Sequence, residues 1–147
     1  MLHIRPHHLI DIIRNIGQGR TIEPHPYGHA QHILTRALTD KTVSDVLLVA
    51  GADDICAPCI HLVKGQCDDI LPQFENVVLK QVYNDTLDQK IMNFLHIGDR
   101  STMELYDFIN LLESNLDEIV KISTHPKEDP ASRKQGLING IRLLKNN

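Results

Sequence analysis

Every cysteine in the chain lies in one short stretch. Gly51-Ala-Asp53-Asp54-Ile-Cys56-Ala-Pro-Cys59 is followed by His61 and, after a loop containing Lys64-Gly65-Gln66, by Cys67. Val46 to Ala50, just before it, is a short apolar run suited to a buried strand. Gly51 ends that run, so a rigid strand delivers a ligand loop. In a CxxC turn both sulfurs can face one ion or cluster, and inward amides and the cation stabilise thiolate charge. Cys56 and Cys59 alone would also suit a redox pair or two buried thiols. Cys67 and the nearby histidines tip the reading toward metal. Structural zinc takes four ligands, commonly Cys3His. Iron–sulfur clusters use cysteines, with histidine replacing some of them at certain clusters. Three cysteines is an odd count, which argues against a disulfide framework.

Arg5-Pro6-His7-His8 is the second informative stretch. Pro6 suits the first turn of a helix, where its missing N–H is not needed. Leu9, Ile12, Ile13 and Ile16 repeat at helical spacing, and Gly17 closes the helix. His7 and Asp11 are i,i+4 neighbours and can face one point. A histidine pair beside a helix start could ligate metal together with Cys56, Cys59 and Cys67, or bind an anion. The plainer alternative for the pair is one packed and one solvated histidine. His25, His29 and His32 could form a second site, but no acidic partner shares their spacing, and the solvated reading is preferred. Gly17-Gln-Gly19-Arg20 meets neither the GxGxxG nor the Walker spacing, so no phosphate loop is expected.

The 147 residues suffice for one domain with a real core. We read 1–147 as a single metal-binding domain, with 125–147 forming a linker and a C-terminal helix. The net charge of −4 makes nucleic acid an unexpected partner. No apolar run could span a bilayer, and the N-terminus lacks a signal peptide's apolar core. A cytoplasmic protein is expected, with reduced thiols free for metal. An unknown small molecule or protein is the expected partner. A homodimer could form through the last helix's apolar stripe.

The remaining segments define an α+β fold, a small sheet covered by four or five helices. Tyr27 to Leu38 is expected to be helical. Thr42 to Ala50 and Val77 to Val82 are the strand candidates. Asn84 or Asp85 should cap a helix with Leu87, Ile91, Phe94 and Leu95 on its apolar face. Ser101-Thr-Met-Glu104 is a capping box opening a longer helix through Val120. His125 to Pro130 is a proline-bounded linker, and Asp129 with Pro130 starts the last helix.

The combination of Arg5-Pro6-His7-His8-Leu9, a Gly-rich connection and Gly51-x-Asp53-Asp54-Ile-Cys56-x-x-Cys59 with Cys67 resembles the domain-of-unknown-function family numbered 1284. The likeness runs roughly from Leu2 to Leu112. Members of that family are thought to bind iron–sulfur clusters, so the resemblance implies a cluster here, with zinc as the alternative cofactor. Many members carry a cysteine soon after the double histidine, where this chain has Asp11. The family's Gly-Tyr-Ser pattern is replaced by Gly19-Arg20-Thr21. The resemblance therefore implies that Asp11, His7, His8 or an outside ligand completes the set, or that one position stays open. Asp53 or Asp54 could act as a general acid or base, but accepting turn amides is the preferred role. No reaction follows from the resemblance.

Overall fold

The computed structural model describes residues 1–72, 74 and 76–146. It is an α+β fold. In chain order come β1 (Leu2–Ile4), α1 (Pro6–Gly17), α2 (Gln31–Thr39), β2 (Asp45–Leu48), β3 (Leu62–Val63), β4 (Gln66–Cys67), α3 (Lys80–Leu95), β5 (Ser101–Glu104), α4 (Leu105–Ser114), α5 (Leu116–Ser123) and α6 (Pro130–Lys145).

β2 is the central strand of a three-stranded sheet, parallel to β1 and antiparallel to β5. Ile4 pairs with Leu48, and both are fully buried under the helices. The apolar run thus forms a strand as expected, but only Asp45–Leu48 of it pairs. A second sheet is the small β3–β4 hairpin in the cysteine loop.

α1 starts at Pro6 and ends at Gly17, as the proline and the apolar spacing predict. Its buried side, with Leu9, Ile10, Ile12 and Ile13, is the centre of the core. α6 lies across it in the most extensive helix–helix contact of the fold. The crossing is close. A Cβ on Gly140 would sit 2.0 Å from the Ile13 carbonyl oxygen, and one on Gly17 would sit 1.7 Å from that of Gly136. Glycines let the two backbones touch where any side chain would hold them apart. α6 itself begins as expected, with Asp129 accepting the Ser132 N–H.

Five expectations are corrected. Val77 to Val82 is not a strand of the sheet. Leu79 makes one isolated bridge to Ile70, and α3 begins at Lys80. Val77 and Val82 stay exposed, so the apolar run has no buried face to pair. Asn84 and Asp85 accordingly lie inside α3 rather than at its cap. Ser101–Glu104 is strand β5, not a capping box. Arg100 N–H donates to the Leu48 carbonyl and Leu105 N–H to that of Ser44, which fixes both ends of the segment along β2. The long helix expected after it is divided at Asn115, whose backbone leaves the helical region at φ −124°. The Asn115 side chain donates instead to the Leu111 carbonyl, a local bond that competes with helix continuation. Tyr27–Ala30 lies outside α2, so the expected helix is shorter at its start.

Candidate metal centre

The N-terminus of α1 is where the distant parts of the chain converge. A helix start leaves amides without partners and carries partial positive charge. Here two buried carboxylates from elsewhere supply the acceptors. Asp53 Oδ2 accepts the Arg5 N–H at 2.7 Å, and Asp88 Oδ1 accepts the His7 N–H at 2.9 Å. Arg5 itself is buried and bridges Asp88 and Asp85 of α3, each at 2.9 Å.

The cysteine loop is pinned at several points. Asp54 N–H donates to the His3 carbonyl, and its carboxylate accepts the His3 N–H at 2.8 Å, tying the loop to β1. Cys59 N–H closes the CxxC turn on the Cys56 carbonyl at 2.9 Å. The hairpin then reverses through Lys64 and Gly65, both at positive φ, the geometry that tight two-residue hairpin turns require. It returns Cys67 opposite Leu62, and Cys67 N–H donates to Gln81 Oε1 of α3 at 2.7 Å. Ala30 N–H donates to the Ile55 carbonyl and Ile60 N–H to that of Tyr27, so the segment before α2 is strapped across the loop.

Cys56, Cys59 and Cys67 are free thiols, partly buried, and all three line one cavity with His8, His29 and His61. Among the described residues, His8, Asp53 and Cys56 form the group whose ligand atoms all lie within 4.8 Å of one another. Such a group could hold a metal ion. The thiols of Cys59 and Cys67 face the same cavity but stand outside that tight group.

Asp53 has a full set of donors. Its Oδ2 takes Arg5 N–H and His8 Nδ1–H, and its Oδ1 takes the Ile55 and Cys56 N–H groups, both at 3.1 Å. A carboxylate offers about four lone-pair sites, and all are in use. Burial pushes the Asp53 carboxyl up, but His8 and these amides outweigh it and hold the group well below the usual carboxylate range. Asp53 is thus an ionised acceptor. The imidazole of His8, at 2.7 Å, must be its donor through Nδ1, which in the neutral ring leaves Nε2 as the lone pair. This is the arrangement by which carboxylates orient metal-binding histidines. His61 repeats it, with Nδ1 at 2.7 Å from Asp68. The acid–base role weighed for Asp53 gives way to the turn-acceptor role, and Asp54 is likewise engaged by the His3 backbone.

Burial and the nearby Asp53 carboxylate push the Cys56 thiol up to about 12. A thiol so held is a poor nucleophile and a poor exchange partner. A cation would be needed to draw off its proton.

The other candidate ligands have other partners. His7 is buried against Asp88, with Nδ1 at 2.9 Å from Oδ1. Burial pushes the Asp88 carboxyl up, but the His7 imidazole, then Arg5 and the His7 N–H, outweigh it and hold the group below the usual carboxylate range. Asp11 faces Arg133 at 2.9 Å and Arg14 at 3.5 Å. Burial raises its carboxyl, but the two guanidiniums outweigh that and hold it low. Neither His7 nor Asp11 lines the cysteine cavity; both line a neighbouring one. His25, His29 and His32 line one further cavity together, but among the described residues their ring nitrogens form no close ligand group. His25 stacks on His29 with ring centroids 4.5 Å apart, and His29 alone of the three lines the cysteine cavity. Burial, then His25, lowers His29 to about 4.

Sequence reading missed His61 as a site residue, although its place two residues after Cys59 was a usable signal. It also missed Asp88 and Asp85. Nothing in local spacing links them to a helix start more than 75 residues away, since Arg5 and Asp85 are 80 positions apart.

No protein-family model, curated protein or solved structure matches this chain. Its fold and side chains define a class: an α+β protein with a histidine–aspartate–cysteine group at the N-terminus of its first helix, set in a cavity ringed by three thiols. Among the described residues, no helix is long and apolar enough to cross a membrane.

Proposed function

We propose that this protein binds an iron–sulfur cluster through Cys56, Cys59 and Cys67, with the Nε2 of His8 at the remaining iron. The observation that carries the reading is that three free thiols and a carboxylate-oriented imidazole share one cavity. Their spread favours a cluster. A single zinc ion at ~2.3 Å from each sulfur would hold tetrahedral ligands roughly 3.8 Å apart. The three thiols do not form a group within 4.8 Å, whereas a cluster puts several irons between its thiolates. The resemblance to family 1284 points the same way. When bound, such a cluster supplies electron transfer or, at an exchangeable iron, Lewis acidity. The chain's own part is to hold it: Asp53 orients His8, Asp68 orients His61, and α3 anchors Cys67 through Gln81.

Structural zinc is the second reading. His8 and Cys56 already lie close enough for one ion, and a Cys3His clamp would join the loop to α1. Its binding energy would then add to folding energy, and a protein partner would be the next object of search.

Metal and acid-labile sulfide are measured after anaerobic purification, with a visible spectrum. Iron with matching sulfide supports the cluster; stoichiometric zinc without sulfide, under iron-replete expression, supports the clamp. Neither metal refutes both. Cys56→Ser and Cys59→Ser should each strip the metal and lower the melting temperature of the protein as isolated. Full retention with unchanged melting would remove these residues from the site.

A further inference from the structure

Arg5 is the N-cap residue of α1 and is only 2% exposed. Two of its guanidinium nitrogens are engaged: Nη1 donates to Asp88 and Nη2 to Asp85, each at 2.9 Å. The third is not. Nε is buried and meets no acceptor among the described residues. A buried donor without an acceptor is costly, more so on a charged group. The guanidinium is a rigid plane, and two ion pairs hold it, so Nε is not free to turn toward another partner.

Arg5 lines the cysteine cavity together with Cys56, Cys59 and Cys67. Its place beside Cys56 is set by a shared anchor. Asp53 Oδ2 takes the Arg5 N–H at 2.7 Å, and Asp53 Oδ1 takes the Cys56 N–H at 3.1 Å. Burial and the Asp53 carboxylate push the Cys56 thiol up, and Arg5 is the cation that opposes them. Other acceptors on the cavity wall have work elsewhere: Asp69 faces Lys80, and Gln81 Oε1 takes the Cys67 N–H. A thiol sulfur is a weak acceptor. A thiolate carries charge, and hydrogen bonds to charged acceptors are the strong ones. The acceptor that Nε lacks therefore arises when Cys56 gives up its proton to a metal.

We propose that Arg5 Nε–H donates a hydrogen bond to the Cys56 sulfur once that sulfur is a metal-bound thiolate. Arg5 is then a positioning residue that acts through the sulfur, not a ligand. The inference rests on the metal-centre reading and deepens it, and it holds for a cluster or for zinc, since either takes Cys56 as thiolate. At a zinc site the bond strengthens metal retention. At a cluster, hydrogen bonds to sulfur also tune the reduction potential, and this one favours the state with more negative charge.

The test replaces the protein's metal with cadmium enriched in a spin-active isotope and follows arginine side chains by proton–nitrogen correlation. The cadmium resonance should report thiolate ligation. The Arg5 Nε–H proton should move downfield on loading and show scalar coupling to cadmium. Arg5→Lys keeps the charge but removes the Nε–H, so it should lose the coupling and weaken cadmium at least about tenfold in chelator competition. Asp85→Asn removes the partner of Nη2, whose side chain is 46% exposed, and leaves Nε in place; the coupling should persist. Should Arg5→Lys fail to fold, the wild-type coupling alone decides. Thiolate-bound cadmium without coupling to Arg5, coupling that survives in Cys56→Ser, or an Arg5→Lys variant that holds cadmium as tightly as the wild type would each overturn the proposal and leave the metal reading standing. Cadmium without any thiolate ligand would overturn both.

Discussion

Asp53 shows how much one side chain can organise. It accepts from the first residues of α1, from the CxxC turn and from His8 at once. In Asp53→Asn one oxygen becomes an NH2 that faces donors. We expect a loss of about 2–4 kcal/mol in urea unfolding, as hydrogen bonds to a buried charge are removed. Metal affinity, read by chelator competition, should fall by about ten- to a hundredfold, as when a carboxylate behind a ligating histidine is lost. Asp88 makes a pH prediction. Its folded-state pKa lies below the unfolded value of ~3.9, so the unfolded chain takes up the proton first as pH falls. The stability it contributes is complete above about pH 4 and is lost as pH drops through the folded-state value. Urea midpoints measured from pH 7 to pH 3 should decline in the wild type and decline less in Asp88→Asn, which starts lower at pH 7. An equally steep decline in the variant would assign the acid sensitivity elsewhere, to Asp11 first.

At the scale of elements, the contact between α1 and α6 depends on missing side chains. Gly140→Ala would gain about 1 kcal/mol of helix propensity. It would also place a methyl 2.0 Å from the Ile13 carbonyl oxygen, and neither backbone can yield without separating the helices. Overpacking of this kind costs about 1–3 kcal/mol, and the backbone partner puts Gly140→Ala at the upper end. We expect net destabilisation of about 2 kcal/mol. Gly51→Ala is the control, because nothing lies within 4 Å of the added Cβ; its melting temperature should stay near that of the wild type. β5 teaches a related lesson. Its sequence satisfies a capping box, yet β2 offers an open edge with backbone partners at both ends, and pairing there outweighs a local cap.

On the scale of the whole molecule, Arg133 joins the last helix to the first. It is 1% exposed, donates to Ser123 Oγ at 3.0 Å and to Asp11 at 2.9 Å, and reaches Glu128 at 3.3 Å. Arg133→Met keeps much of the volume but leaves the two carboxylates with Arg14 alone. Breaking one side of a buried ion network costs about 3–5 kcal/mol, and a marginally stable chain of this size holds little more than that. We expect a large fall in the urea midpoint at pH 7, partly recovered in the double variant with Asp11→Asn. Without such recovery, lost packing rather than unpaired charge would be the cause.

By itself the sequence determined what local rules control. Pro6 and the apolar spacing define α1, Asp129 with Pro130 starts α6, and the run from Val46 leads into the cysteine loop. These signals are legible because a helix start, an apolar period and a CxxC each act within a few residues. It also placed the three thiols and His8 together, since one loop and one helix start carry them. Only the tertiary structure decided the rest. It turned Ser101–Glu104 into a strand, made Val77 to Val82 the exposed approach to α3, and set His7 and Asp11 against Asp88 and Arg133. Each of those outcomes depends on a partner dozens of residues away, whether a strand edge, a carboxylate or a guanidinium. Such partners leave no mark in local spacing, because only folding brings them within hydrogen-bond reach.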